Sequence, residues 1–238
     1  MKTNKFLKLI IIFLCSTSLY AMGLRSFVAL PVEEGGSVLR FQNIYENDAN
    51  VDLFVTSLAY GIDAKQTLLI GMPYRLKPSG DNRQGDISLL YRYMLTQDDS
   101  FSGTSRFALL GGAIIPTESE RDYAAQAGFV YTYFKNRNEI DVDILYKKGI
   151  DTRLDAANYD ISWQYRLSPS VRDDWGITQE LNSVLELNGR WIEGSSITHQ
   201  VTLGLQWIHA TWVLEGGVVK DLNQAKEERL LLSVRFHF

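Results

Sequence analysis

From residue 37 onward, apolar residues recur at every second position rather than at every third or fourth. This period of two is typical of β-strands with one apolar and one polar face. Residues 157–167 show it most clearly, and the segments 85–96, 138–148 and 228–238 repeat it. In 157–167 the apolar face consists of Tyr159, Ile161, Trp163, Tyr165 and Leu167, and the polar face of Asn158, Asp160, Ser162, Gln164 and Arg166.

Short stretches rich in turn-forming residues separate these alternating segments. One such predicted turn is Gln97-Asp98-Asp99-Ser100. The pattern predicts one all-β domain over residues 37–238 with about 12 strands, and ten is the alternative count. The predicted strands lie near 37–46, 51–61, 66–75, 85–96, 105–116, 122–134, 138–148, 157–167, 180–192, 196–208, 210–220 and 228–238.

Alternation alone also fits a soluble sandwich or a small soluble barrel, but three features favour a membrane. Strands of about 10 residues with continuous apolar faces match the hydrocarbon band. The opposite faces carry charges in mid-strand, which a water-free sandwich core would not tolerate unpaired. Aromatic residues make up 12% of the chain and lie mostly on the apolar faces. We therefore predict a closed antiparallel up-and-down transmembrane β-barrel, because an open edge in lipid leaves backbone groups unsatisfied.

The first residues have the order of a secretory signal peptide. Lys2, Lys5 and Lys8 precede an apolar run that ends at Cys15, and a small polar stretch leads to Ala21. The apolar run is too short for a spanning helix, so a membrane anchor is the weaker alternative. We predict cleavage after residues 1–21, export to the outer membrane of a Gram-negative cell, and a periplasmic or plug segment over 22–36.

The C-terminus adds a second export signal. The last segment ends on Phe238, with Phe236 on the same apolar face. This ending resembles the motif by which the barrel-assembly machinery recognises outer-membrane barrels. The expected partners are this machinery, outer-membrane lipid and lipopolysaccharide, and a small-molecule solute.

Composition excludes several other classes of protein. Without residues 1–21 the formal charge changes from -4 to -7, because three of the 24 basic and none of the 28 acidic residues are removed. An acidic chain gives no electrostatic reason to bind nucleic acid. Cys15, the single cysteine, is removed as well, so no disulfide framework is expected.

One stretch resembles a known family. Tyr60-Gly61-Ile62-Asp63 leads to Leu69-Ile70-Gly71-Met72-Pro73-Tyr74 and then to Gly85-Asp86-Ile87-Ser88-Leu89-Leu90-Tyr91-Arg92-Tyr93. These motifs are similar to those of the outer-membrane transporters grouped with the meta-pathway of phenol degradation. The resemblance covers about a third of the mature chain. It implies a barrel that moves small organic molecules, whereas turn and strand-end roles also account for Gly61, Asp63, Pro73 and Gly85.

Catalytic and metal-binding patterns are absent from the sequence. There is no G-x-S-x-G, H-E-x-x-H, P-loop or G-x-G-x-x-G motif. His199, His209 and His237 are not spaced as a zinc site. We expect no enzyme activity, no cofactor and no metal.

The charged residues predicted to face the barrel interior are the candidate functional residues. Glu139, Asp141 and Asp143 alternate along one strand, and we predict that Arg166 on the next strand lies opposite Glu139 or Asp141. Such residues either brace a filled interior or line a permeation path. The full set of lumen candidates is Glu139, Asp141, Asp143, Arg166, Glu186, Arg190 and Glu215.

Three functions remain open from the sequence. Twelve strands lie between barrels of about 8 strands, which side chains fill, and barrels of 16 to 18, which leave an aqueous channel. The leading hypothesis is a narrow channel or transporter for small molecules, with hydrophobic ones included. The alternatives are a structural or surface-interaction barrel without transport activity and, third, an outer-membrane lipid-modifying enzyme.

Overall fold

The computed structural model describes residues 23–46, 50–168, 179–223 and 227–238. The predicted signal peptide and its cleavage site lie outside these residues. The described chain forms strands joined by hairpin connections. They are β1 Ser37–Glu46, β2 Val51–Gly61, β3 Gln66–Lys77, β4 Ile87–Ser100, β5 Gly103–Ile115, β6 Ala124–Lys135, β7 Asn138–Gly149, β8 Ala156–Arg166, β9 Glu180–Ile192, β10 Thr198–Ile208, β11 Trp212–Asp221 and β12 Glu228–His237.

The strands pair in chain order, each antiparallel to the next, and the first strand pairs with the last. At this seam Val38 lies opposite His237 and Glu46 lies opposite Arg229. The predicted closed antiparallel barrel of 12 strands is thus confirmed. Among the described residues, no helix is long and apolar enough to cross a membrane.

The two faces of the strands differ as the alternation predicts. On β8, Ile161 is 41% exposed and Trp163 is 45% exposed, whereas the intervening Ser162 is fully buried. On β12, Leu230 and Leu232 point outward and are exposed. The apolar side chains therefore form the outer surface of the barrel and the polar ones its interior, which is the reverse of a soluble protein.

One predicted turn is wrong. Gln97-Asp98-Asp99-Ser100 belongs to β4, and the turn lies at residues 101–102. Asp99 pairs with Thr104 across the hairpin, and its carboxylate lies 2.8 Å from the guanidinium of Arg106. A polar strand end stabilised by cross-strand pairs contains the same residue types as a turn, and composition alone does not separate the two.

Most connections are shorter at one end of the barrel than at the other. The connections 62–65, 101–102, 136–137 and 209–211 lie at the end that holds both β1 Ser37 and the C-terminus, and the longer connection 167–179 is the exception at this end. The connections 78–86 and 116–123 lie at the opposite end. Outer-membrane barrels have short periplasmic turns and longer extracellular loops. This comparison favours an orientation with both ends of the barrel domain on the periplasmic side.

Candidate functional site

The inner wall formed by β7, β8 and β9 carries rows of polar side chains. The strand register places Asp141, Ser162 and Glu186 in one row. Asp143 and Asp160 belong to the next row. Because these side chains share one face and adjacent strands lie about 4.8 Å apart, the register makes them neighbours across the wall.

Three of the predicted lumen residues lie on β7 and accept hydrogen bonds from neutral donors. Gln164 donates to Asp141 over 2.9 Å and to Glu139 over 3.2 Å. Asp141 also accepts from the hydroxyl of Thr132 at 2.6 Å. Both carboxylates are buried, and Asp141 is fully so. The wall therefore holds closely spaced acidic groups in an interior position.

Glu186 and Arg190, on β9, belong to the same wall. Glu186 is fully buried. Arg190 forms an ion pair with Asp160 at 2.8 Å. The structure therefore brings Glu139, Asp141, Asp143, Glu186 and Arg190 onto one continuous stretch of inner wall.

Glu215 lies elsewhere, on the wall formed by β11, β12 and β1. It forms ion pairs with Arg40, at 2.9 Å, and with Arg235, and it accepts a hydrogen bond from Gln206 at 2.9 Å. Neither Glu215 nor Arg235 is exposed. The interior therefore has an acidic wall and, at some distance around the barrel, a wall where arginines meet one carboxylate.

The predicted pairing of Arg166 is wrong. Glu139 lies opposite Gln164, and Arg166 forms an ion pair with Glu180 on β9 at 3.1 Å. The hairpin register differs from the predicted one by an even number of residues. Each side chain therefore stays on its predicted face of the sheet but lies opposite a different residue. At the end of this hairpin the carboxylate of Asp155 accepts a hydrogen bond from the backbone N–H of Gly149 at 2.9 Å.

The interior also contains residues 23–36, which we call the lumen segment. It enters at the end that holds Ser37 and the C-terminus, where Gly35 and Gly36 exchange backbone hydrogen bonds with Gly61 of 2.9 and 3.0 Å. A Cβ on residue 61 would lie 2.0 Å from the carbonyl oxygen of Glu33. Only glycine permits this approach, which gives Gly61 a structural role in seating the segment.

Deeper in the barrel, inward side chains hold the backbone of the lumen segment. The N–H of Phe27 donates to Asp143 at 2.8 Å, and the N–H of Ala29 donates to Thr132 at 2.9 Å. Arg92 donates to the carbonyl of Val28. These contacts join single side chains to single backbone groups, unlike the ladders that join the strands.

The first residues of the lumen segment contact both walls. The N–H of Arg25 donates to Glu186 at 3.1 Å, and its guanidinium donates to Gln200 at 2.7 Å. Arg40 and Gln42, on β1, donate to the carbonyl of Leu24. The segment therefore crosses the interior from one wall to the other.

Several interior residues were not among the predicted candidates. Asp160, Ser162 and Gln164 lie on the polar face of β8 and were visible in the alternation. Arg25 had no signal, because the lumen segment lacks the period of two and the sequence does not show what it contacts. The contacts of Arg40 could not be predicted either, because they depend on the pairing of β1 with β12.

The remaining predicted residues lie outside the interior site. Phe236 and Phe238 are exposed at the C-terminal end of the barrel, on the outer face. His199 contacts the hydroxyl of Tyr159 through Nδ1 at 2.7 Å. Within the described ranges, no group of three or more His, Cys, Asp or Glu side chains is placed to hold a metal ion.

Comparison with solved structures identifies the class of fold. The barrel is similar to the KdgM porin, with a TM-score of 0.58 and 10% identity over 84% of this chain and 99% of the porin. It is also similar to the COG4313 outer membrane channel from Pseudomonas putida F1, with a TM-score of 0.52 and 16% identity over 92% of this chain and all of the channel. The protein thus has the fold of outer-membrane porins and channels.

The sequence comparisons are less informative. No protein-family model matches the chain, and no curated protein matches it either.

Proposed function

We propose that this protein is an outer-membrane channel or transporter for small molecules, with hydrophobic ones among them. The observation that carries the proposal is the lumen segment. Twelve strands close around an interior wide enough to contain an extended piece of chain, whereas side chains alone fill a barrel of about 8 strands.

The way in which the segment is held also supports a path through the barrel. Its inner part, from Leu24 to Val32, is held by hydrogen bonds between inward side chains and its backbone. Moving it breaks none of the ladders that stabilise the barrel. In this proposal the segment narrows the path, and its displacement widens it.

The proposal extends to location and partners. The signal peptide implies export, and the exposed outer face implies contact with outer-membrane lipid and lipopolysaccharide. Phe236 and Phe238 are proposed to bind the assembly machinery. The resemblance to transporters grouped with the meta-pathway of phenol degradation supports small organic molecules as the solutes.

Deleting residues 23–30 tests the channel function. We expect the variant to conduct several times more current than the wild type in planar bilayers, because the conductance of a pore rises with its open cross-section. As a control, deletion of residues 79–82 in the connection 78–86 should leave the conductance unchanged. If neither the wild type nor the segment deletion conducts, the channel function is contradicted.

The acidic wall predicts the selectivity of the open path. In the chain that lacks residues 23–30, fixed carboxylates at Asp141 and Asp143 should concentrate cations and favour them over anions. Replacing both with Asn keeps their volume and should reduce the ratio of cation to anion permeability. Reversal potentials in a salt gradient measure this ratio. The paired control is Asp98→Asn with Asp151→Asn, two exposed carboxylates outside the wall; an equal loss of selectivity in both variants would contradict the assignment.

One observation favours the alternative of a surface-interaction barrel. The carboxylate of Asp86 lies 2.9 Å from Arg121 and 2.7 Å from Arg153, so it joins three connections at the end opposite the C-terminus. Partial burial opposes its ionisation, but hydrogen bonds from Arg121 and Arg153 keep the pKa of Asp86 below its usual value. The loops are therefore braced into a fixed surface, which a barrel that only binds a partner would also need.

A further inference from the structure

The inner wall formed by β4 to β7 carries an apolar patch. Its buried side chains are Leu90, Met94, Ala108, Leu110, Val130 and Leu145. All of them occupy inward positions, which are polar in water-filled barrels. An apolar surface of this kind facing water is unfavourable, and so something must cover it.

The lumen segment covers the patch. Ala29 belongs to the buried cluster, and Phe27 packs against it while remaining partly exposed. The backbone of both residues is fixed at the same place, through Asp143 and Thr132. A phenyl ring therefore rests on this wall, held by a segment that is not part of the barrel.

We propose that this patch is a binding site for a neutral apolar molecule of about the size of the Phe27 side chain, and that such a molecule displaces Phe27. The presence of the ring shows which chemistry the surface accepts. The patch presents aliphatic carbon and a thioether, so it favours aromatic or aliphatic solutes. Arg92 lies between Leu90 and Met94, and its guanidinium donates to the carbonyl of Val28 and the hydroxyl of Thr67.

Displacement would couple binding to opening. When the solute takes the place of Phe27, the ring no longer packs on the wall. The neighbouring hydrogen bonds of the segment to Asp143 and Thr132 are then weakened. The solute then opens its own path. The use of the site in transport rests on the proposed channel function, although binding itself does not.

The test uses the full mature chain in detergent with 4-fluorotoluene as the probe and fluorine NMR as the readout. The wild type should show a saturable bound signal besides partition into micelles. Phe27→Ala should tighten this binding by about 10-fold or more, because the probe no longer competes with a packed ring. Retained heat-modifiable migration on gels shows that the variant is folded.

Matched tryptophan variants make the test specific. Leu110→Trp fills the patch and should abolish the saturable signal in the Phe27→Ala background. Leu109→Trp places the same bulk on the outer face, where residue 109 is 45% exposed, and should leave the signal intact. A signal that is equal in all variants would show partition only and would overturn the site.

The two proposals fail separately. Saturable binding without conductance in the segment deletion would contradict the channel and leave the site standing. Increased conductance without saturable binding would contradict the site alone.

Discussion

Replacing Glu215 with Gln should lower the free energy of unfolding by about 3–5 kcal/mol, because it removes the charged partner of the ion pairs with Arg40 and Arg235 in the barrel interior. Glu215 and Arg235 have no exposed side-chain surface, and Arg40 is only 14% exposed. The substitution keeps the shape of the side chain, so the decrease in the free energy of unfolding measures the effect of removing the charge. Urea titration in lipid vesicles, followed by the folded migration of unboiled samples, measures it.

The control for this substitution is an exposed ion pair. Glu228 pairs with Lys220 at the end of the barrel away from the C-terminus, and both side chains are more than half exposed. Glu228→Gln should change the free energy of unfolding by at most about 1 kcal/mol. Equal effects of the two substitutions would mean that the interior network around Glu215 contributes no more than a surface pair.

Replacing Ile161 with Arg should impair assembly and lower the free energy of unfolding by about 2–4 kcal/mol. Ile161 is at the centre of β8 on the exposed outer face, where a charge would meet hydrocarbon. We expect a smaller folded fraction in the outer-membrane material and a lower urea midpoint.

Leu167→Arg provides the depth control. Residue 167 follows the end of β8 on the same face and is 46% exposed. Charges near the membrane interface cost only about 0–1 kcal/mol. If Arg at 161 is tolerated as well as Arg at 167, the outer face does not meet lipid and the membrane assignment is contradicted.

The faces could be predicted from the sequence because the period of two determines them, and the strand order could be predicted because each strand pairs with the next along the chain. The alternation around Ile161 and Ser162 fixes which side chain meets lipid, whatever the register. The partner of Glu139 could not be predicted, because the alternation of β7 and β8 is compatible with several registers of their hairpin. A shift of two residues leaves the pattern of faces unchanged.

The contacts of the lumen segment were beyond sequence reasoning for another reason. Phe27 and Ala29 lie in a stretch without strand periodicity, and their partners Asp143 and Thr132 are more than 100 positions away in the chain. The apolar inner patch was equally hidden. Leu90 and Leu110 interrupt polar faces only locally, and they become one surface only when the strands are side by side.

The seam between the first and last strands joins the two ends of the barrel domain. β1 cannot pair with β12 until the last residues of the chain have arrived, and such distant pairing forms late. The lumen segment directly precedes β1, and Arg40 on β1 contacts both the carbonyl of Leu24 and the carboxylate of Glu215. Closing the seam therefore brings Arg40 to both Leu24 and Glu215, so that a barrel halted before closure would expose an open edge to the folding machinery and lack these contacts of the segment.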